Sequence, residues 1–137
     1  TRNWTALAGL GYKATEKASV NLRVNRGLNE SFSAASGGHF YISSGVGLDA
    51  SHKCTDKLTL GANTGVQINK YSEAIALGGM TAVRRDDLYN YGVSADYNVK
   101  DWLLTGFAYK HTVRNSIFSR QFNYKSNVMS FNVKVMF

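Results

Sequence analysis

Apolar residues recur at every second position along almost the whole of this chain, and the residues between them are small or polar. A period of two puts alternate side chains on opposite faces of an extended strand, so it rules out an amphipathic helix as the repeating element. Ala18, Val20, Leu22 and Val24 oppose Ser19, Asn21, Arg23 and Asn25. Near the end, Met129, Phe131, Val133, Val135 and Phe137 oppose Ser130, Asn132 and Lys134. Seven such segments are predicted as strands: Trp4 to Tyr12, Ala18 to Arg26, His39 to Ser51, Lys57 to Asn69, Asp86 to Tyr97, Trp102 to Arg114 and Tyr124 to Phe137. The absence of proline among 137 residues, beside 13 glycines, fits strand interiors, which cannot spare a backbone donor. No apolar run approaches the ~18–20 residues of a membrane helix; the longest, EAIALGGM, is far shorter.

What bathes the apolar face is decided by what fills the other one. The surface of a soluble β-sandwich is rich in Lys and Glu, whereas this polar face is mostly Asn, Ser, Thr, Gly and Gln, and only 18% of the chain is charged. Such a face suits a hydrated lumen. Trp4, Tyr12, Phe40, Tyr89, Tyr97 and Trp102 fall near predicted strand ends, as interfacial aromatic girdles do. Short links at Lys13 to Lys17, His52 to Asp56 and Asn98 to Asp101 exchange with longer ones at Gly27 to Gly38, Lys70 to Arg85 and Asn115 to Asn123, the pattern of periplasmic turns and outer loops. The expected fold is all-β, an antiparallel up-and-down transmembrane β-barrel in the outer membrane of a Gram-negative bacterium. A soluble β-sandwich binding module is the alternative that shares the alternation.

Bacterial single-chain barrels have an even number of strands with both termini periplasmic. Seven strands ending in the periplasm would begin on the outer side. Residues 1–137 are therefore expected to be the C-terminal part of a longer barrel, closed by missing N-terminal strands or by another chain. The rival is a small closed barrel, structural or adhesive, with an eighth strand in Gly27 to Gly38 or in Lys70 to Arg85, where EAIALGGM is the better candidate.

The excess of 16 basic over 9 acidic residues, +7, points to an acidic partner. Arg23, Lys110, Arg114 and Lys134 fall on the polar face, where they would line a lumen and favour an anionic polysaccharide, or pair with Asp49 and Asp96 to brace a filled interior. Arg84 and Arg85 are expected at a rim, against lipopolysaccharide phosphate or a neighbouring loop. A nucleic-acid module would interleave its aromatics with Lys and Arg; here they share faces with Val, Leu and Ile, so no nucleic acid is expected. His39, His52 and His111 lack metal-site spacing, no Gly-x-Ser-x-Gly turn frames a nucleophile, and lone Cys54 has no partner for a disulfide. Neither a cofactor nor an enzymatic activity is expected. Phe131, Val133, Val135 and Phe137 form the apolar side of a closing strand, and the final Phe resembles the signal read by the outer-membrane assembly machinery.

The stretches NRGLNES, RRDDLYNYGVSADYNVKDWLLTGFAYKHTVRNS and FNYKSNVMSFNVKVMF resemble the putative β-barrel porin 2 family. The matching positions are Arg26, Glu30 and Ser31; Arg85 and Asp86; Tyr97; Arg114 and Ser116; and Asn127. The resemblance implies an outer-membrane barrel several times longer than this chain. It also implies a role in moving exopolysaccharide or capsule polymer, with no catalytic residues.

Overall fold

Each alternating segment forms a strand, in the computed structural model that describes residues 4–30 and 40–136. They are β1 (Ala6–Thr15), β2 (Ala18–Glu30), β3 (Phe40–Lys53), β4 (Leu58–Leu77), β5 (Met80–Lys100), β6 (Leu103–Ser116) and β7 (Tyr124–Val135), with a one-turn helix α1 (Ser119–Phe122) between the last two. The spatial order is the sequence order and every pairing is antiparallel, giving one seven-stranded meander. β1 and β7 are its edges, so the sheet is not closed. Predicted ends at His39 and Phe137, and most of the Gly27 to Gly38 connection, lie outside the described residues.

The register turns the sequence alternation into two chemically distinct surfaces. One row of cross-strand partners reads Tyr12, Val20, Ala50, Ala62, Val93, Tyr109, Met129. The adjacent row, on the opposite face, reads Gly11, Asn21, Asp49, Asn63, Gly92, Lys110, Val128. A slip of one residue in any pairing would mix these faces, which is how the pattern specifies register. Leu7, Leu88, Leu104 and Val128 are among the exceptions on the polar face, while Arg26, Ser44, Thr64, His111 and Asn127 are among those that interrupt the apolar one.

Burial is inverted relative to a water-soluble domain. Among the described residues Phe118 is the sole buried hydrophobic side chain, whereas Ser43, Asn69, Arg84 and Asp86 are buried polar ones. Leu10, Val46, Val93, Phe107, Met129, Phe131 and many like them are exposed. An apolar surface this extensive on a water-facing sheet would drive association; against hydrocarbon it is the matching solvent.

The expected loop at Lys70 to Arg85 is not a loop. β4 and β5 continue past it as a long hairpin in which Ala74 to Leu77 pairs with Met80 to Val83. Its two-residue turn, Gly78–Gly79, has positive φ at both positions (61° and 81°), a conformation that strongly favours glycine. EAIALGGM is thus strand and turn, but an extension of β4 rather than an eighth strand. Tyr89 consequently lies inside β5 rather than near its start.

The polar face packs by alternating long and short side chains across strands. Asp96, Gly106 and Asn132 are successive partners on β5, β6 and β7, and a Cβ on Gly106 would stand 2.5 Å from Asn132 Oδ1 and 2.6 Å from Asp96 Oδ1. The glycine makes room for its two neighbours' polar ends, which relieves crowding in the wall.

Candidate functional site

The register brings Arg23 on β2, Lys110 and Arg114 on β6, and Lys134 on β7 to the polar face. Their surroundings differ. Arg23 Nη2 lies 2.7 Å from Asp49 Oδ2 on β3, an exposed pair that water screens. Asp96, the other expected partner, lies instead beside Gly106. Lys110 and Lys134 have no ion-pair partner among the described residues. Around Arg23, open clefts of about 440 Å³ and 340 Å³ run along this face, lined by Asn25, Asp49, Asn63, Gln67 and Asn90 in the first and Asn21 and Asp49 in the second. Amides, hydroxyls and a carboxylate with nearby cations make a surface that exchanges hydrogen bonds with hydrated polar solutes.

Arg114 belongs to a second, tighter cluster near the long-loop end. The RRDD stretch alternates in β5, so Arg84 and Asp86 share the polar face while Arg85 and Asp87 share the apolar one. Arg84 is 3% exposed and Asp86 fully buried, with Arg84 Nε donating to both carboxylate oxygens at 3.0 and 3.1 Å and Nη2 donating to Oδ2 at 2.6 Å. Arg114 Nε stands 3.8 Å from the same Oδ2, and its guanidinium lies over the Tyr124 ring at 4.9 Å. A buried carboxylate is tolerated only when its charge is met in this way. Asp86, Arg114 and Ser116, all positions that carry the family resemblance, meet here, Asp86 and Ser116 being direct cross-strand partners.

Rings complete the cluster. Arg84 Cζ is 4.5 Å from the Tyr71 ring centroid and 3.5 Å from that of Phe122, and Tyr71 stacks on Tyr41 at 5.2 Å. Arg84 is thus enclosed on the polar face against β4 rather than exposed at a rim, and of the two partners expected for it the neighbouring loop, the β6–β7 connection, is the one it meets. The rim reading failed because the strand was taken to begin at Asp86, which left Arg84 in a loop. The i, i+2 charge complementarity of RRDD is the sequence signal that would have extended it. Arg85 is exposed on the apolar face, paired with Asp87 at 2.9 Å and directly opposite Lys70.

Sequence reasoning also missed two polar groups on the apolar face. Arg26 lies over Trp4 at 4.7 Å and donates to Ser44 Oγ at 2.9 Å. Farther across, His111 stacks on Tyr91 and contacts Asn127, which also accepts a hydrogen bond from Tyr109 Oη at 2.8 Å. These contacts pair most of the polar atoms locally, although Arg26 Nε is buried without a hydrogen-bond partner among the described residues. Among the described residues no three His, Cys, Asp or Glu side chains cluster as metal ligands, and Cys54 is an exposed free thiol in the β3–β4 turn.

Comparison with known proteins matches residues 3–137 to the model of the family described as putative beta-barrel porin 2. The chain matches no curated protein and no solved structure. With a family model spanning nearly all of its length, the chain belongs to the putative beta-barrel porin 2 family, and its setting is a porin-like β-barrel of the outer membrane.

Proposed function

We propose that β1–β7 form seven strands of the wall of an outer-membrane channel in a Gram-negative bacterium. Its lumen passes polar solutes, with an anionic polysaccharide as the preferred cargo. The observation that carries this reading is the convergence of Arg23, Lys110, Arg114 and Lys134 on one polar face, backed by an apolar face with almost no charge in its central rows. A cationic, hydrated wall lowers the electrostatic barrier for anions without binding them tightly. Passage is passive, and the protein is not an enzyme.

The open sheet supports a specific form of closure. In a meander with an odd number of strands the two edge strands run in the same direction. β7 and β1 therefore cannot join antiparallel, nor can a second copy in the same orientation join edge to edge. An odd number of additional strands must stand between them for all-antiparallel closure, and an open edge in hydrocarbon is too costly to persist. Strands preceding this segment in the same polypeptide meet that requirement most simply. On the outer surface, Lys70 and exposed Arg85 suit lipopolysaccharide phosphates, and Phe131, Val133, Val135 and Phe137 suit recognition by the assembly machinery.

The test is ion selectivity of the purified full-length protein in planar bilayers. Replacing Arg23, Lys110, Arg114 and Lys134 with Gln shifts the reversal potential toward cations. An unchanged reversal potential would remove these residues from the lumen.

A further inference from the structure

We propose that residues 117–123, the β6–β7 connection including α1, cross the polar face as the channel's constriction, and that Arg84 is the latch that holds them there. The proposal rests on the channel reading above and adds to it the element that limits the size of what passes.

A connection between two adjacent antiparallel strands can stand out into solvent. This one turns back over the sheet. Ile117 N adds one more rung to the β5–β6 ladder, donating to the carbonyl of Arg85 at 3.1 Å, and Phe118, next in the chain, is 2% exposed beneath the returning segment. Phe122 then lays its ring on the Arg84 guanidinium, which also meets the Tyr71 ring of β4. Gln121 Nε2 stands 3.2 Å from where a Cβ on Gly78 would be, at the turn joining β4 to β5. The connection thus leaves β6, lies against Arg84 of β5 and the β4–β5 turn, and returns to β7. Two strand spacings of wall, roughly 10 Å, are overlaid.

The chemistry of the latch explains why a charge is buried at this point. Arg84 and Asp86 are two residues apart on one face of β5, so the guanidinium pairs along the strand while it meets the Tyr71 and Phe122 rings. Asp86 holds the guanidinium in plane and also draws Arg114 to 3.8 Å, and Arg114 in turn meets Tyr124 at the far end of the connection. Both arginines that meet the C-terminal end of the segment are therefore held by one carboxylate. Two arginines face one aspartate here, and Arg120 on α1 is exposed. The constriction presents positive charge to whatever passes.

The test uses the full-length protein in planar bilayers, with folding of each variant checked by heat-modifiable gel mobility. Phe122→Ala removes the ring that covers Arg84 while leaving the Arg84–Asp86 pair intact. Phe122→Tyr keeps the ring, and Phe107→Ala is a control on the opposite face. The constriction predicts a rise in single-channel conductance of about twofold or more for Phe122→Ala and no change for the other two. Equal conductance of Phe122→Ala and the parent in a conducting preparation overturns it. If the parent conducts nothing, the channel reading fails instead, and trypsin cleavage after Arg120 decides the latch alone. Cleavage about tenfold faster in Phe122→Ala supports a latched segment, and equal rates overturn it.

Discussion

Placing an arginine at Val93 separates a lipid-facing wall from a water-facing one, because the two predict different magnitudes from the same geometry. Val93 lies on β5, 54% exposed, between Tyr91 and Ala95 along the strand and between Ala62 and Tyr109 across it. Tyr89 and Tyr97 bound the aromatic and apolar stretch of that face, and the strand rises roughly 27 Å between them. At a barrel tilt near 40° this is roughly 21 Å along the membrane normal, which sets Val93 about 10 Å from either edge. Arginine at such a midplane position costs about 2–4 kcal/mol, roughly 30- to 1,000-fold in the folding equilibrium. On a surface exposed to water the same substitution changes stability by less than about 0.5 kcal/mol. Denaturant unfolding of the full-length protein in phosphatidylcholine vesicles, followed by tryptophan fluorescence, measures the difference. Asn63→Lys, on the polar face beside Asp49, is the control and is expected to be nearly neutral. Equal stabilities of Val93→Arg and Asn63→Lys would refute the assignment of the apolar face to lipid.

Glycine substitutions test the packing of the wall. Gly92→Ala sets a Cβ 2.9 Å from the carbonyl oxygen of Tyr109, a backbone atom that cannot swing aside, and is expected to cost about 1–3 kcal/mol in the same unfolding assay. Gly27→Ala meets nothing within 4 Å and is expected to be neutral or slightly stabilising, so equal losses at the two sites would contradict the register. Cys54 reports orientation. It is an exposed thiol in a turn of the short-turn rim, so a polymer-linked maleimide too large to cross the outer membrane should label it only in permeabilised cells. Labelling of intact cells would place the short turns outside.

Period-two alternation determined most of the architecture from the sequence. It set the seven strands, the face of each residue and hence the convergence of Arg23, Lys110, Arg114 and Lys134, because in a strand the side-chain direction follows from position parity alone. It also named the alternatives for closing the sheet. The tertiary structure decided what parity cannot reach. The β4–β5 extension was hidden because the bulge between Lys70 and Ala74 breaks the alternation, so a continuous hairpin read as a loop. The position of Arg84 was lost with it. The return of residues 117–123 onto the polar face depends on a ring from one connection meeting a guanidinium about forty residues earlier in the chain. Local periodicity carries no term for such a contact. Strand and face are short-range properties of backbone and side-chain direction, whereas the Arg84 cluster exists only once β4, β5, β6 and the connection are assembled around one carboxylate, Asp86.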